Sequence, residues 1–132
     1  MTEAVAGRFP PAVLFDLDGT LLDSAPDMLA TVNRMRASRD MPPLALAALR
    51  PTVSKGARAM SSVAFPHLAA EEIAALVPEF LDIYRQELGR HSHPFDGVEE
   101  MLAALEQAGT VWGIVTNKPR LYAEPLIQAL GL

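Results

Sequence analysis

Two aspartates stand two residues apart in the run Asp16-Leu17-Asp18-Gly19-Thr20. In an extended segment such positions face one side, and at an ordinary pKa of about 3.9 both carboxylates are charged at neutral pH. Their repulsion is tolerable beside a divalent cation, a proton or a phosphate-bound metal. Gly19 lets the backbone turn sharply and offer N–H groups to an anion, and Thr20 adds a hydroxyl donor. A second cluster, Thr116-Asn117-Lys118, follows near the far end of the chain, where Thr116 supplies another hydroxyl. Taken alone, an Asp-Gly pair is an ordinary acidic turn, and Thr116-Asn117 ahead of Pro119 is an ordinary helix N-cap. A helix N-terminus is itself an anion site, however, so capping and anion binding are compatible.

The elements that must position these residues are legible in outline. Ala12-Val13-Leu14-Phe15 is a short continuous apolar run after two prolines, the pattern of a parallel strand buried on both faces. Ser24 and Asp27, with Pro26 between them, have the spacing of a capping box, and Met28, Leu29, Val32 and Met35 continue at helical period until Pro42-Pro43. Leu44 to Leu49 predicts one or two more turns stopped by Pro51, and Val53 to Gly56 reads as a loop entering a helix through Met60 and Val63. Ile73, Leu76, Val77, Phe80, Leu81, Tyr84 and Leu88 form one helical stripe that Pro78 must kink or divide. After the polar crossing Arg90 to Pro94, Asp96 and Glu99 cap a helix with Val98, Met101, Leu102 and Leu105 on its apolar face, closed by Gly109. Val111 to Val115 is a second buried strand, with Trp112 in the core, and Pro119 opens a last helix running to Leu130-Gly131.

Both clusters thus fall just beyond the carboxyl end of a strand, where open parallel sheets gather reactive groups. The fold class is α/β, with 1–23 and 94–132 forming a discontinuous sheet-bearing core and 24–93 an inserted α-helical segment.

Bulk properties narrow the partners. The 132 residues are 50% hydrophobic and 20% charged, enough apolar material for a packed core. Sixteen acidic residues against eleven basic ones leave a net charge of -5, and the basic residues form no stripe, which argues against nucleic acid. With no cysteine, neither a disulfide framework nor a thiolate metal site exists, as fits a reducing cytoplasm. The N-terminal segment, with Glu3, Arg8 and Pro10-Pro11, is read as carrying no leader and no membrane span. His91 and His93 have no third ligand nearby and read as incidental. The methionines at 28, 35, 60 and 101 read as core packing.

Phe15-Asp16-Leu17-Asp18-Gly19-Thr20-Leu21-Leu22-Asp23-Ser24 resembles motif I of the haloacid dehalogenase superfamily. Gly113-Ile114-Val115-Thr116-Asn117-Lys118-Pro119 resembles motif II of its phosphoglycolate-phosphatase-type members. The helical stretch between them is similar to a cap inserted after motif I on a Rossmann-like core, of which two parallel strands are present. The resemblance implies a Mg²⁺-dependent phosphomonoester hydrolase acting on a small phosphorylated metabolite. Asp16 would be the nucleophile that forms an aspartyl-phosphate, and Asp18 the general acid and then base, both of them metal ligands. Gly19, Thr20, Thr116 and Asn117 would hold the phosphoryl oxygens. The family's motif III lysine and motif IV acidic pair have no counterpart in these 132 residues, so the expectation is a truncated gene product or a fragment inactive by itself. Strand Ala12 to Phe15, central in that family, would then lack one neighbour.

The cap sets the substrate in this family. Ser54, Lys55, Gly56 and Arg58 are the candidate substrate contacts, the two basic residues for a carboxylate or second anion, and Lys118 is a loop residue suited to substrate contact. Ser54 to Met60, His91-Ser92, Phe95-Asp96-Gly97 and Thr116 to Pro125 also resemble N-acetylmuramic acid 6-phosphate phosphatases of cell-wall recycling. A sugar phosphomutase and a non-catalytic binding fragment are the other readings, and the oligomeric state is not legible.

Overall fold

The computed structural model describes residues 9–132; residues 1–8, including Glu3, Arg8 and the start of the expected 1–23 core segment, lie outside the described residues. In chain order the elements are β1 (Ala12–Phe15), β2 (Leu22–Asp23), α1 (Ala25–Ala37), α2 (Leu46–Leu49), a 3₁₀ segment (Arg50–Lys55), α3 (Ala57–Ala64), α4 (Ala70–Glu87), β3 (His93–Pro94), α5 (Val98–Gln107), β4 (Val111–Ile114) and α6 (Arg120–Ala129). Strands β1 and β4 pair in parallel, from Ala12 opposite Val111 to Phe15 opposite Ile114. Strands β2 and β3 form a two-residue antiparallel ribbon where the chain enters and leaves the helical segment.

Two apolar clusters divide the interior. Met28, Val32, Met35, Leu49, Met60, Phe65, Ile73 and Phe80 bring α1 to α4 together. Leu17, Leu21, Leu22, Val98, Leu102, Leu105, Ala123 and Leu126 join the loop after β1 to α5 and α6, against Val13, Phe15, Trp112 and Ile114 of the sheet. Burial of each large side chain contributes on the order of 1.5–3 kcal/mol, so each cluster is a substantial core of its own. Leu88 packs against both.

Several local expectations are corrected. The two apolar strands are covered on one face only: Leu14 and Val111 are each 70% exposed and Val115 is exposed with them. Alternation along a strand sends these side chains away from α5 and α6, and no other described element packs there. Trp112 is half-buried, edge-on to Phe15, and its indole N–H donates to Glu106. Met101 is exposed as well. Pro51 does not end the turn begun by α2, because a proline in the first turn of the 3₁₀ segment gives up an N–H that needs no partner. Likewise α4 runs undivided through Pro78.

The predicted caps are replaced by other contacts. Ser24 precedes α1 without capping it; its hydroxyl donates instead to Asp18. The Asp27 carboxylate, fully buried, accepts the N–H groups of Gly89 and His91 and the Ser92 hydroxyl, binding the returning linker to α1. For α5 the capping position is Gly97, with a left-handed φ of 86°, and not Asp96.

Candidate active site

The parallel ladder extends one residue beyond β4, where the Val115 N–H donates to the carbonyl of Phe15, the last residue of β1, at 2.8 Å. That pairing brings Asp16 and Thr116 to the same end of the sheet. Leu17 then turns inward and is fully buried, so it anchors the loop while its neighbours Asp16 and Asp18 stay on the open side. The Gly19 N–H donates to the Leu22 carbonyl, and its φ of 77° closes a turn that residues with a Cβ rarely adopt.

A cavity of about 180 Å³ opens at this end of the sheet. Asp16, Asp18, Thr116, Asn117 and Lys118 line it from the sheet side, and Met28, Met60, Phe80 and Tyr84 from the helices. Ser54, near the end of the 3₁₀ segment, and Gly56, between that segment and α3, also line it. Gly56 has φ 95° and ψ 178°, a combination essentially confined to glycine, and it turns the chain from the 3₁₀ segment into α3. A second cavity shares Asp16, Asp18 and Ser54 and continues past Gly19 and Thr20 to Arg50, which is ion-paired with Asp23. Lys55 and Arg58, by contrast, are exposed and line neither cavity.

The two aspartates differ in their surroundings. Asp16 is exposed, and one carboxylate oxygen accepts the adjacent Leu17 N–H at 2.8 Å, leaving the other open. Asp18 is held from two sides. The Ser24 hydroxyl donates to it at 2.6 Å and the Lys118 ammonium at 3.0 and 3.2 Å. Thr116 Oγ1 accepts the Lys118 N–H at 3.0 Å, so its own hydroxyl hydrogen remains available to an anion.

Lys118 is the residue whose place spacing alone did not disclose. Its side chain is 6% exposed, with Nζ 4.6 Å above the centre of the Tyr84 ring on α4. Burial pushes its ammonium below the usual lysine range, and the Asp18 carboxylate works in the opposite direction. Tyr84 is stacked between Phe80 and Tyr122, with centroids 6.1 and 5.8 Å away. Burial drives its phenol far above the usual range, with Asp18 and Asp27 adding to the effect. Sequence spacing placed Tyr84 on the apolar stripe of its helix. Contact with Lys118 depends on two elements far apart in the chain, and no local signal announces it.

The set of groups suits a phosphoryl ester: an open carboxylate, a second carboxylate held by donors, and hydroxyl and backbone donors for the oxygens. It also offers oxygen donors of the kind Mg²⁺ takes, since that ion is commonly bound through one or two carboxylates plus phosphate and water. Asp16, with one oxygen open, fits that role. Among the described residues no group of three or more His, Cys, Asp or Glu side chains could enclose a metal, and no helix is long and apolar enough to cross a membrane.

Comparison with known proteins agrees with this reading of the fold. The haloacid dehalogenase-like hydrolase family model matches residues 13–132. A phosphoglycolate phosphatase of Xanthomonas campestris pv. campestris is 64% identical over 124 residues, covering 94% of this chain and 56% of the relative. An N-acetylmuramic acid 6-phosphate phosphatase of Pseudomonas aeruginosa is 51% identical over 121 residues, covering 91% of this chain and 54% of the relative. The crystal structure of a protein described as a predicted phosphoglycolate phosphatase of Haemophilus somnus superposes with a TM-score of 0.76 at 28% identity, over 92% of this chain and 57% of that one. The chain therefore spans little more than half the length of the curated relatives it matches.

Proposed function

The chain belongs to the haloacid dehalogenase-like hydrolase family, and from that premise we propose that its cavity is the site of a Mg²⁺-dependent phosphomonoester hydrolase. The observation that carries the proposal is the convergence of Asp16, Asp18, Thr116 and Asn117 on one cavity, although a hundred residues separate the two motifs. The open carboxylate oxygen of Asp16 attacks phosphorus, forming an O–P bond as the bond to the leaving alkoxide breaks. Asp18 delivers the proton that the alkoxide needs and later takes one from the water that hydrolyses the aspartyl-phosphate. Thr116 and Asn117, with the Thr20 hydroxyl at the adjoining turn, donate to the phosphoryl oxygens, whereas the Gly19 N–H is given to the Leu22 carbonyl and Gly19 serves to shape the turn. Mg²⁺, held by Asp16 and Asp18, would supply charge neutralisation and Lewis-acid polarisation when bound. We propose a small phosphorylated metabolite as substrate, and residues 24–93 as the cap that selects it.

Phosphoglycolate is the substrate named for the Xanthomonas relative, and an amino-sugar phosphate for the Pseudomonas one. The cavity wall favours the second reading, because Met28, Met60, Phe80 and Leu81 present apolar surface that the C–H faces of a sugar ring and an acetyl methyl can cover and a two-carbon acid cannot.

The test is incubation with Mg²⁺ and either ester, followed by phosphate release and intact-protein mass. We expect wild type to gain one phosphoryl group and Asp16→Asn to gain none. Phosphoryl transfer retained in Asp16→Asn would remove that residue from the nucleophile's role. A wild-type chain with neither adduct nor release would sink the phosphatase reading.

A further inference from the structure

We infer that Arg50 is a specificity-determining residue for the leaving group, reading a carboxylate on the alcohol part of the phosphate ester. The inference rests on the phosphatase reading of the neighbouring Asp16 and Asp18.

The second cavity, of about 440 Å³, runs from Asp16, Asp18 and Thr20 at the end of the sheet to Arg50 on the 3₁₀ segment. It meets the first cavity at Asp16, Asp18, Val53 and Ser54, so an ester with its phosphoryl group at the aspartates can extend into both. One cation lines each cavity, and the two are held differently. The Lys118 ammonium bridges both oxygens of Asp18 and is almost fully buried, so parting that pair would strand a buried charge. Arg50 has 46% of its side chain exposed and pairs with Asp23 through one N–H on each terminal nitrogen, at 3.0 and 3.4 Å. An ion pair in contact with water is weak and exchanges partners at small cost.

A guanidinium carries five N–H donors, of which Asp23 takes two. The Nε–H and one hydrogen on each terminal nitrogen have no acceptor among the described residues. The edge that Nε forms with its neighbouring nitrogen matches the two oxygens of a carboxylate, so Arg50 can take a second one without releasing Asp23. Its backbone is anchored by the buried side chains of Leu49 and Val53 on either side. Lys55 and Arg58, the residues expected from the sequence to take such a group, line neither cavity.

Both esters weighed above carry the group: the acid of phosphoglycolate and the lactyl side chain of N-acetylmuramic acid 6-phosphate. Each has a counterpart without it, hydroxyethyl phosphate for the first and N-acetylglucosamine 6-phosphate for the second. Calorimetric titration in Mg²⁺ would compare wild type, Arg50→Gln and Asp23→Asn with both pairs and with inorganic phosphate. Wild type is expected to bind the carboxylated member of at least one pair roughly tenfold more tightly than its counterpart. Arg50→Gln should remove that preference and leave the counterparts and inorganic phosphate unchanged, whereas Asp23→Asn should keep it. A wild type without preference, a preference that survives in Arg50→Gln, or one lost equally in Asp23→Asn would overturn the inference. Equal weakening of every ligand in Arg50→Gln would make Arg50 a support for the cavity and overturn it too. Failure of wild type to bind inorganic phosphate would defeat the underlying phosphatase reading as well. If phosphate binds and only the selective loss is missing, the role of Arg50 alone falls. Exposed ion pairs add little stability, so both variants should unfold at the wild-type midpoint, which confirms that the comparison is made on folded protein.

Discussion

At the scale of single residues, the site relies on buried polar groups whose partners come from distant segments. Asp27 shows what this is worth. It lies in the first turn of α1, where a negative charge is favoured by the helix dipole, and it accepts from two backbone N–H groups and a hydroxyl of the linker 89–92. Asp27→Ala would leave those three donors without their acceptor, the Ser92 hydroxyl among them buried, and the expected cost is about 2–4 kcal/mol, read as a lowered urea midpoint at constant slope. A change under about 0.5 kcal/mol, the range of ordinary surface substitutions, would show that water replaces the carboxylate freely. The sequence revealed Asp27 only as half of a capping box with Ser24, because spacing of three residues is the signature of a local contact. Ser24 and Asp27 instead reach Asp18 and the returning linker, and contacts of that kind depend on the closed fold. Asp16, Asp18 and Thr116 were legible for the opposite reason, since each directly follows a short apolar strand and needs little more than chain direction to place it.

At the scale of elements, the helical segment is held by packing strong enough to override local propensity. Pro78 is the sharpest case: it lies mid-way through the 18-residue helix α4, where it removes a backbone donor and crowds the preceding turn. Spacing predicted a kink or a division there. The helix continues because Ile73 on one side of the proline and Phe80 and Tyr84 on the other are buried in the same cluster. Pro78 is itself exposed, so its ring contributes little to that cluster. Pro78→Ala should therefore stabilise the chain by about 1–2 kcal/mol, the regained helix interior outweighing the more flexible unfolded state. Thermal unfolding should show this as a midpoint several degrees higher. A lower midpoint would mean that the ring, or a bend it imposes, is needed to fit α4 against α1 and α3.

At the scale of the whole molecule, the helical segment and the sheet differ in how completely they are covered. The expected core of two parallel strands is present, but β1 and β4 form a two-stranded sheet with α5 and α6 on one face. Apolar runs such as Ala12 to Phe15 signal a strand covered on both faces, and the sequence pattern cannot say whether both covers belong to the same 132 residues. Leu14, Val111 and Val115 consequently share an open apolar face. Contiguous apolar surface of this kind binds hydrophobic dyes and favours association. The double variant Leu14→Lys, Val111→Lys should bind markedly less anilinonaphthalene sulfonate than wild type, with its far-ultraviolet circular dichroism unchanged. Both side chains are already largely in water, so the loss of stability should stay below about 1 kcal/mol. Lysines on edge strands also discourage edge-to-edge pairing, and light scattering at high concentration should fall together with dye binding. Unchanged dye binding would place the accessible apolar surface elsewhere, most directly at the cavity wall formed by Met28, Met60 and Phe80. In that event inorganic phosphate with Mg²⁺ should leave the dye signal of the double variant intact and N-acetylmuramic acid 6-phosphate should displace it, because the sugar ester alone covers that wall.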